Sequence, residues 1–210
     1  MTDIEFFFDP VCPLAWITSR WLEEVRRQRP IDVEWRFISL RILNEKRDYD
    51  KEFPPRYDEF HTMGLRLLRV AAALRDTEGP DVVGPYYAAV SGAIHVDRRR
   101  DDFLESGGVA GVLAELGHKP GYAEARLDAS WDEVVRAEGD VGLSRTGGNL
   151  GTPIITFGPP DGPSLFGPVI GRVPRGAEAL ELWDAVEVLA RFGGFYEIKR
   201  SIREKLVQER

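Results

Sequence analysis

The chain has 210 residues, and its 28 Lys and Arg against 35 Asp and Glu give a formal net charge of 28 − 35 = −7. That length suffices for one substantial domain or a domain carrying an insertion, and the acidic balance argues against a surface built to hold nucleic-acid phosphates. No run of about 18 apolar residues is present, so no membrane span is expected, and the opening MTDIEFFFDP lacks the basic start and apolar core of a secretory signal.

IEFFF (Ile4 to Phe8) is a short apolar run stopped by Asp9-Pro10, which predicts a buried strand. From Pro13 the period changes to that of a helix. Leu14, Ile17, Trp21 and Val25, with Leu22 beside them, share one face, while Arg20, Glu23, Glu24 and Arg27 point outward. Proline is favourable at a first helical position, where an N–H would have no partner, and this places Cys12 at the N-cap. IDVEWRFISL (Ile31 to Leu40) then alternates with period two, as a strand does. A β-α-β unit of this kind normally joins parallel strands by a right-handed crossover.

From about Pro54 to Arg145 the patterns are helical. One stripe runs through Phe60, Leu67, Leu68, Ala71 and Leu74, and a second through Val83, Tyr86, Tyr87, Val90 and Ile94. A third joins Val109, Val112, Leu113 and Leu116 and ends at Gly117, and a further amphipathic segment follows a Ser130 cap. The chain then returns to strands: PIITF and SLFG flank a turn rich in Pro, Gly and Asp, a hairpin signal. RGAEALELWDAVEVLARF (Arg175 to Phe192) predicts a closing helix, which the charged stretch to Arg210 is expected to extend. The implied division is 1–53 (β-α-β), 54–146 (an all-helical insertion) and 147–210 (β-β-α with a C-terminal helix).

Cys12 is the only cysteine, so no internal disulfide can close; without a secretory signal this points to a reducing cytoplasm. A lone cysteine is commonly a small buried hydrophobe. At a helix N-cap, however, it faces free backbone N–H groups and the positive end of the helix dipole, which favour the nucleophilic thiolate. In a dithiol enzyme of this design a second cysteine would stand where Ala15 stands. Without it the remaining exit from a Cys12 mixed disulfide is attack by a separate small thiol.

The three histidines and one cysteine have no zinc-ligand spacing. No glycine-rich phosphate loop, serine elbow or carboxylate dyad stands out, so neither metal nor nucleotide is expected. The basic run DRRRDD (Asp97 to Asp102) reads first as a solvated face flanked by acids, and second as an anion site.

The element order, with FDPVCP, WITSRW, SLRILNE, Ile94-His95, GTPII, FGPV, PRG and LWDA spread across the chain, resembles DsbA-family proteins. Within that family it looks most like the actinobacterial mycothiol-dependent nitroreductases and FrnE-like proteins. The resemblance implies an α/β thioredoxin-like fold with an inserted helical domain, of the DsbA and kappa-class type. It also implies Cys12 as the catalytic residue, and Pro13, Leu14, Asn44, His95, Thr152 and Pro153 as groups binding thiol or substrate. Redox members carry Cys-Pro-Trp-Cys where this chain has Cys12-Pro13-Leu14-Ala15.

Each of these has a plainer reading beside it. Pro153 occupies the family's cis-proline position, yet an ordinary trans proline also starts strands. His95 lies over the thiol pocket by resemblance, or packs at a helix end. Asn44 presents an amide to the site, or caps a turn. The expected activity is a monothiol, thiol-dependent oxidoreductase using a low-molecular-weight thiol, mycothiol by resemblance, to reduce disulfides or electrophiles such as nitroaromatics. A kappa-type thiol transferase or isomerase, or a non-catalytic thiol-binding relative, shares the same features. The expected partners are therefore the small thiol and its electrophilic or disulfide substrate, with no nucleic acid and no membrane, and a homodimer is left open.

Overall fold

The computed structural model describes residues 2–148, 150–201 and 204–210. Strand β1 (Ile4–Phe8) is buried along its whole length, as its unbroken apolar run requires. It leads into α1 (Pro13–Arg26) and the parallel strand β2 (Val33–Phe37), with Ile4 beside Val33 and Phe8 beside Phe37. The short helices α2 (Leu40–Leu43) and α3 (Tyr49–Glu52) follow. Then come α4 (Tyr57–Glu78), α5 (Val83–His95), α6 (Ser106–Glu115) and α7 (Asp132–Thr146). Strands β3 (Ile154–Phe157) and β4 (Ser164–Phe166) form the expected hairpin before α8 (Ala177–Arg191). The sheet order is β2-β1-β3-β4, with β3 antiparallel to β1.

Alternation along β1 distributes its side chains between two faces. Phe6 and Phe8 join the large core of Trp16, Trp21, Trp35 and Tyr87, while Phe7 meets Ile38 and Ile154 on the other face. On the first face Trp183 of α8 packs on Trp21 and Phe157, with ring centroids 5.4 Å apart in both pairs. Helix α7 approaches the second face closely because it carries Gly142 there: a β-carbon at that position would lie 3.0 Å from the Phe7 ring. Glu138 of α7 accepts the Phe37 N–H at 2.8 Å and pairs with Arg75 of α4, tying the helical block to strand β2.

Two sequence expectations are corrected. Ser130 is not the cap of α7. Asp128 accepts the Ser130 N–H at 2.9 Å, and a 3-10 turn over Ala129–Trp131 runs into the helix. Nor does the charged end extend α8, which stops at Arg191, just before Phe192 and the helix-disfavouring pair Gly193-Gly194. Residues 204–210 instead fold back: Val207 N–H donates to Gly171 O at 2.8 Å, and Arg210 pairs with Asp97. Among the described residues no helix is long and apolar enough to cross a membrane.

Candidate functional site

The turn between β1 and α1 presents Cys12. Its N–H donates to Asp9 O at 3.0 Å, Pro13 opens the helix, and the Ala15 N–H points at Sγ from 3.4 Å. Cys12 is therefore the N-cap, as its place before Pro13 predicts. The thiol in turn donates to Thr152 O at 3.4 Å, across 140 residues of sequence. Thr152 is fixed by its own hydroxyl, which donates to Phe7 O at 3.0 Å, and the Thr152–Pro153 peptide is cis. Among the described residues the Thr152 N–H has no hydrogen-bond partner.

The expected activation of Cys12 meets an opposing effect. Only 6% of the residue is exposed, and burial pushes the thiol up to about 12. The Ala15 and Leu14 N–H groups pull it down, while the nearby Asp9 carboxyl adds to the rise. The resting state thus holds a protonated sulfur that donates a hydrogen bond.

Asp9, which sequence reasoning passed over, organises the turn. Its carboxylate oxygens accept the N–H of Val11 at 3.0 Å and of Leu40 at 2.7 Å, joining the Cys12 turn to the start of α2. Burial raises this carboxyl to about 7 against the pull of those two amides. Helix α4 seals it from above through Gly64, where a β-carbon would stand 2.5 Å from Asp9 Oδ1 and 2.9 Å from Val11. The available signal was the acid immediately before Pro10 in FDPVCP: a carboxylate ending a buried strand must find donors nearby.

His95 ends α5 and is 1% exposed. Its Nε2 lies 2.9 Å from Pro10 O and its Nδ1 3.4 Å from Gln208 Nε2, and its ring stacks on Trp16 with centroids 6.2 Å apart. Because Pro10 O can only accept, Nε2 carries the proton. Burial holds the imidazole near 4, neutral at physiological pH. Ser91 Oγ donates to the same carbonyl at 3.1 Å. His95 thus grips the turn that carries Cys12, with both ring nitrogens engaged.

Asn44 is the C-cap of α2; its Nδ2 donates to Leu40 O at 2.8 Å, and Arg47 donates to its Oδ1 at 3.3 Å. The amide is spent locally. Pro13 and Leu14, both half-buried, form the first turn of α1 beside the thiol. His61, given no role from sequence, is buried with Nδ1 2.9 Å from Tyr49 OH, inside a ring of Tyr49, Phe53 and Tyr57. Among the described residues no group of three or more His, Cys, Asp or Glu is placed to hold a metal.

Comparison with known proteins gives the family and the fold. A family model described as Rv2466c-like, mycothiol-dependent nitroreductase Rv2466c, matches residues 11–200. The uncharacterized protein Rv2286c of Mycobacterium tuberculosis (strain ATCC 25618 / H37Rv) is 31% identical over 207 residues, covering 95% of this chain and 82% of that protein. Among solved structures, the cytosolic disulfide reductase DsbM from Pseudomonas aeruginosa superposes with a TM-score of 0.57 at 18% identity, over 88% of this chain and 98% of that one. A protein from Nitrosomonas europaea described as a disulfide isomerase gives 0.54 at 16% identity, over 87% and 95%. These likenesses establish the fold as thioredoxin-like with a helical insertion, of the DsbA type.

Proposed function

The chain belongs to the Rv2466c-like family of mycothiol-dependent nitroreductases, and from that premise we propose that it is a thiol-dependent reductase working through Cys12 alone. The observation that carries this reading is the seat of Sγ between the N-terminus of α1 and Thr152 O. Mycothiol is the thiol named in the family's description, and the residues present suit an extended thiol. Thr152 offers an N–H with no partner among the described residues and, once the Cys12 proton leaves, its carbonyl, with Pro13, Leu14 and Pro153 as the apolar surround. Asn44 and His95 act from one step back by holding α2 and the turn. The segments 1–53 and 147–210 supply the sheet, and the helices of 54–146 close over the turn. One cysteine and no disulfide suit a reducing cytoplasm.

In this reading Cys12 Sγ loses its proton and attacks one sulfur of a disulfide substrate. A Cys12 mixed disulfide forms and the other sulfur departs as a thiolate. One molecule of the small thiol then displaces the substrate's second sulfur from Cys12, and a second molecule releases Cys12. The sum is one substrate disulfide and two thiols giving two reduced substrate thiols and one thiol disulfide. Reduction of nitroaromatics is the finer activity that the family's description carries.

The protonated, donating state of Cys12 favours a second reading. In a kappa-type transferase the S–H need only stabilise a bound cofactor's thiolate. Replacement of Cys12 by Ser separates the two, since a hydroxyl still donates but cannot form a disulfide. Mycothiol-dependent turnover should fall by about a hundredfold or more in Cys12→Ser if exchange operates, as for loss of a nucleophile. Retention of most of the activity would instead make Cys12 a hydrogen-bond donor.

A further inference from the structure

A pocket of about 270 Å³ lies against α4 and α5, lined by Arg56, Phe60, Ile94, Arg98, Arg100 and Asp101. Its floor is apolar, from Phe60 of α4 and Ile94 of α5. Three guanidinium groups and a single carboxylate surround that floor, in a chain whose net charge is −7. The guanidinium carbons of Arg100 and Arg56 stand 4.3 and 4.9 Å from the centre of the Phe60 ring. Arg56 is paired, with Glu59 and Asp101. Of the three successive arginines from Arg98, only Arg99 pairs with a carboxylate, Asp102 at 2.9 Å. Among the described residues the side chains of Arg98 and Arg100 have no ion pair.

The backbone gives an independent sign. Arg56, with φ of 71°, and Arg98, with φ of 61°, are the two non-glycine residues at positive φ among those described, and both line this pocket. A side chain with a β-carbon reaches that region at a cost that Gly or Asn would largely avoid. Such costs concentrate where a ligand is held. The pocket's position is equally specific. Gly64, one helical turn beyond Phe60, meets Asp9 and Val11, and His95, the residue after Ile94, holds Pro10 O. Both walls of the pocket are thus the helices that clamp the Cys12 turn.

We propose that this pocket binds a small organic anion through a carboxylate held on the guanidinium groups of Arg98 and Arg100, with the Phe60 ring holding the Arg100 guanidinium in place. Guanidinium matches a carboxylate in two parallel hydrogen bonds, and a few charged groups over an apolar floor is the usual build of a ligand site. Resting on the Cys12 reading above, the ligand is the electrophile to be reduced, so the preferred substrates carry a negative group.

The test is binding of 4-nitrobenzoate and of neutral nitrobenzene by calorimetry, without thiol, to the full chain and to four variants. 4-Nitrobenzoate should bind at least about tenfold more tightly than nitrobenzene, the scale of one charge-assisted pair. Arg98→Asn combined with Arg100→Gln should remove that preference, while Arg99→Gln and Cys12→Ser keep it. Arg98→Asn alone suits a left-handed backbone, so its thermal midpoint should hold or rise while affinity falls. Equal binding of the two probes, or an undiminished preference in the double variant, would overturn the anion site. Arginine-dependent binding without thiol-driven turnover would leave the pocket standing and sink the redox reading. Turnover of neutral electrophiles with no anion preference would do the reverse.

Discussion

Asp9 helps to set the state of Cys12. Both are buried, burial raises both, and the Asp9 charge makes the Cys12 thiolate harder to form, so the resting turn favours the thiol beside a carboxyl near 7. Asp9→Asn removes the acid and turns an amide N–H₂ toward one of the two backbone donors. It should cost about 1–3 kcal/mol, the penalty for an unpaired buried donor, and shift alkylation of Cys12 to lower pH. The stability-versus-pH slope follows from the same group. Folded Asp9 titrates at about 7 against 3.8 in the unfolded chain, so the folded state holds the extra proton between those values. Its contribution to stability is full below 3.8 and is lost as pH rises through 7. The difference in urea midpoint between wild type and Asp9→Asn should therefore shrink from pH 4 to pH 7. An unchanged alkylation profile and a constant difference would show that Asp9 does not couple to the thiol.

Among the elements, α4 matters for the turn through one small residue. A β-carbon at Gly64 meets Asp9 Oδ1 at 2.5 Å and Val11 at 2.9 Å, so α4 or the turn must move. Gly64→Ala should destabilise by about 1–3 kcal/mol, the range for overpacking, and should speed Cys12 alkylation by opening the turn. Unchanged stability and reactivity would mean that α4 does not hold the turn closed. The regular elements were legible because their apolar periods are strong: the three-phenylalanine strand and the Pro13 start fall where the residues put them. The strand expected in Ile31 to Leu40 is present but confined to Val33–Phe37, with Leu40 already opening α2. What the sequence hid depends on remote partners. Gln208 meets His95 across 113 residues, and a polar segment carries no period that announces such a meeting. The Cys12–Thr152 contact was legible only through the family pattern, while Asp9, which ends a strand, took its meaning from Leu40 and Gly64.

For the whole molecule, the sheet places the N-terminus of α1 against the Thr152 backbone, and the helices of the insertion cover that junction from α4 and α5. A sulfur kept protonated by burial is slow toward bulk reagents. On the proposed exchange through Cys12, a bound partner takes the place of the hydrogen bond to Thr152 O. The most direct measurement is intact-protein mass after incubation with oxidised mycothiol, beside oxidised glutathione and iodoacetamide, followed by addition of reduced mycothiol. The expected result is one adduct on Cys12 that forms with oxidised mycothiol faster than with the other two and is released by the reduced thiol. No mycothiol adduct on the folded protein, with full labelling of Cys12 once it is unfolded, would contradict exchange through a single sulfur.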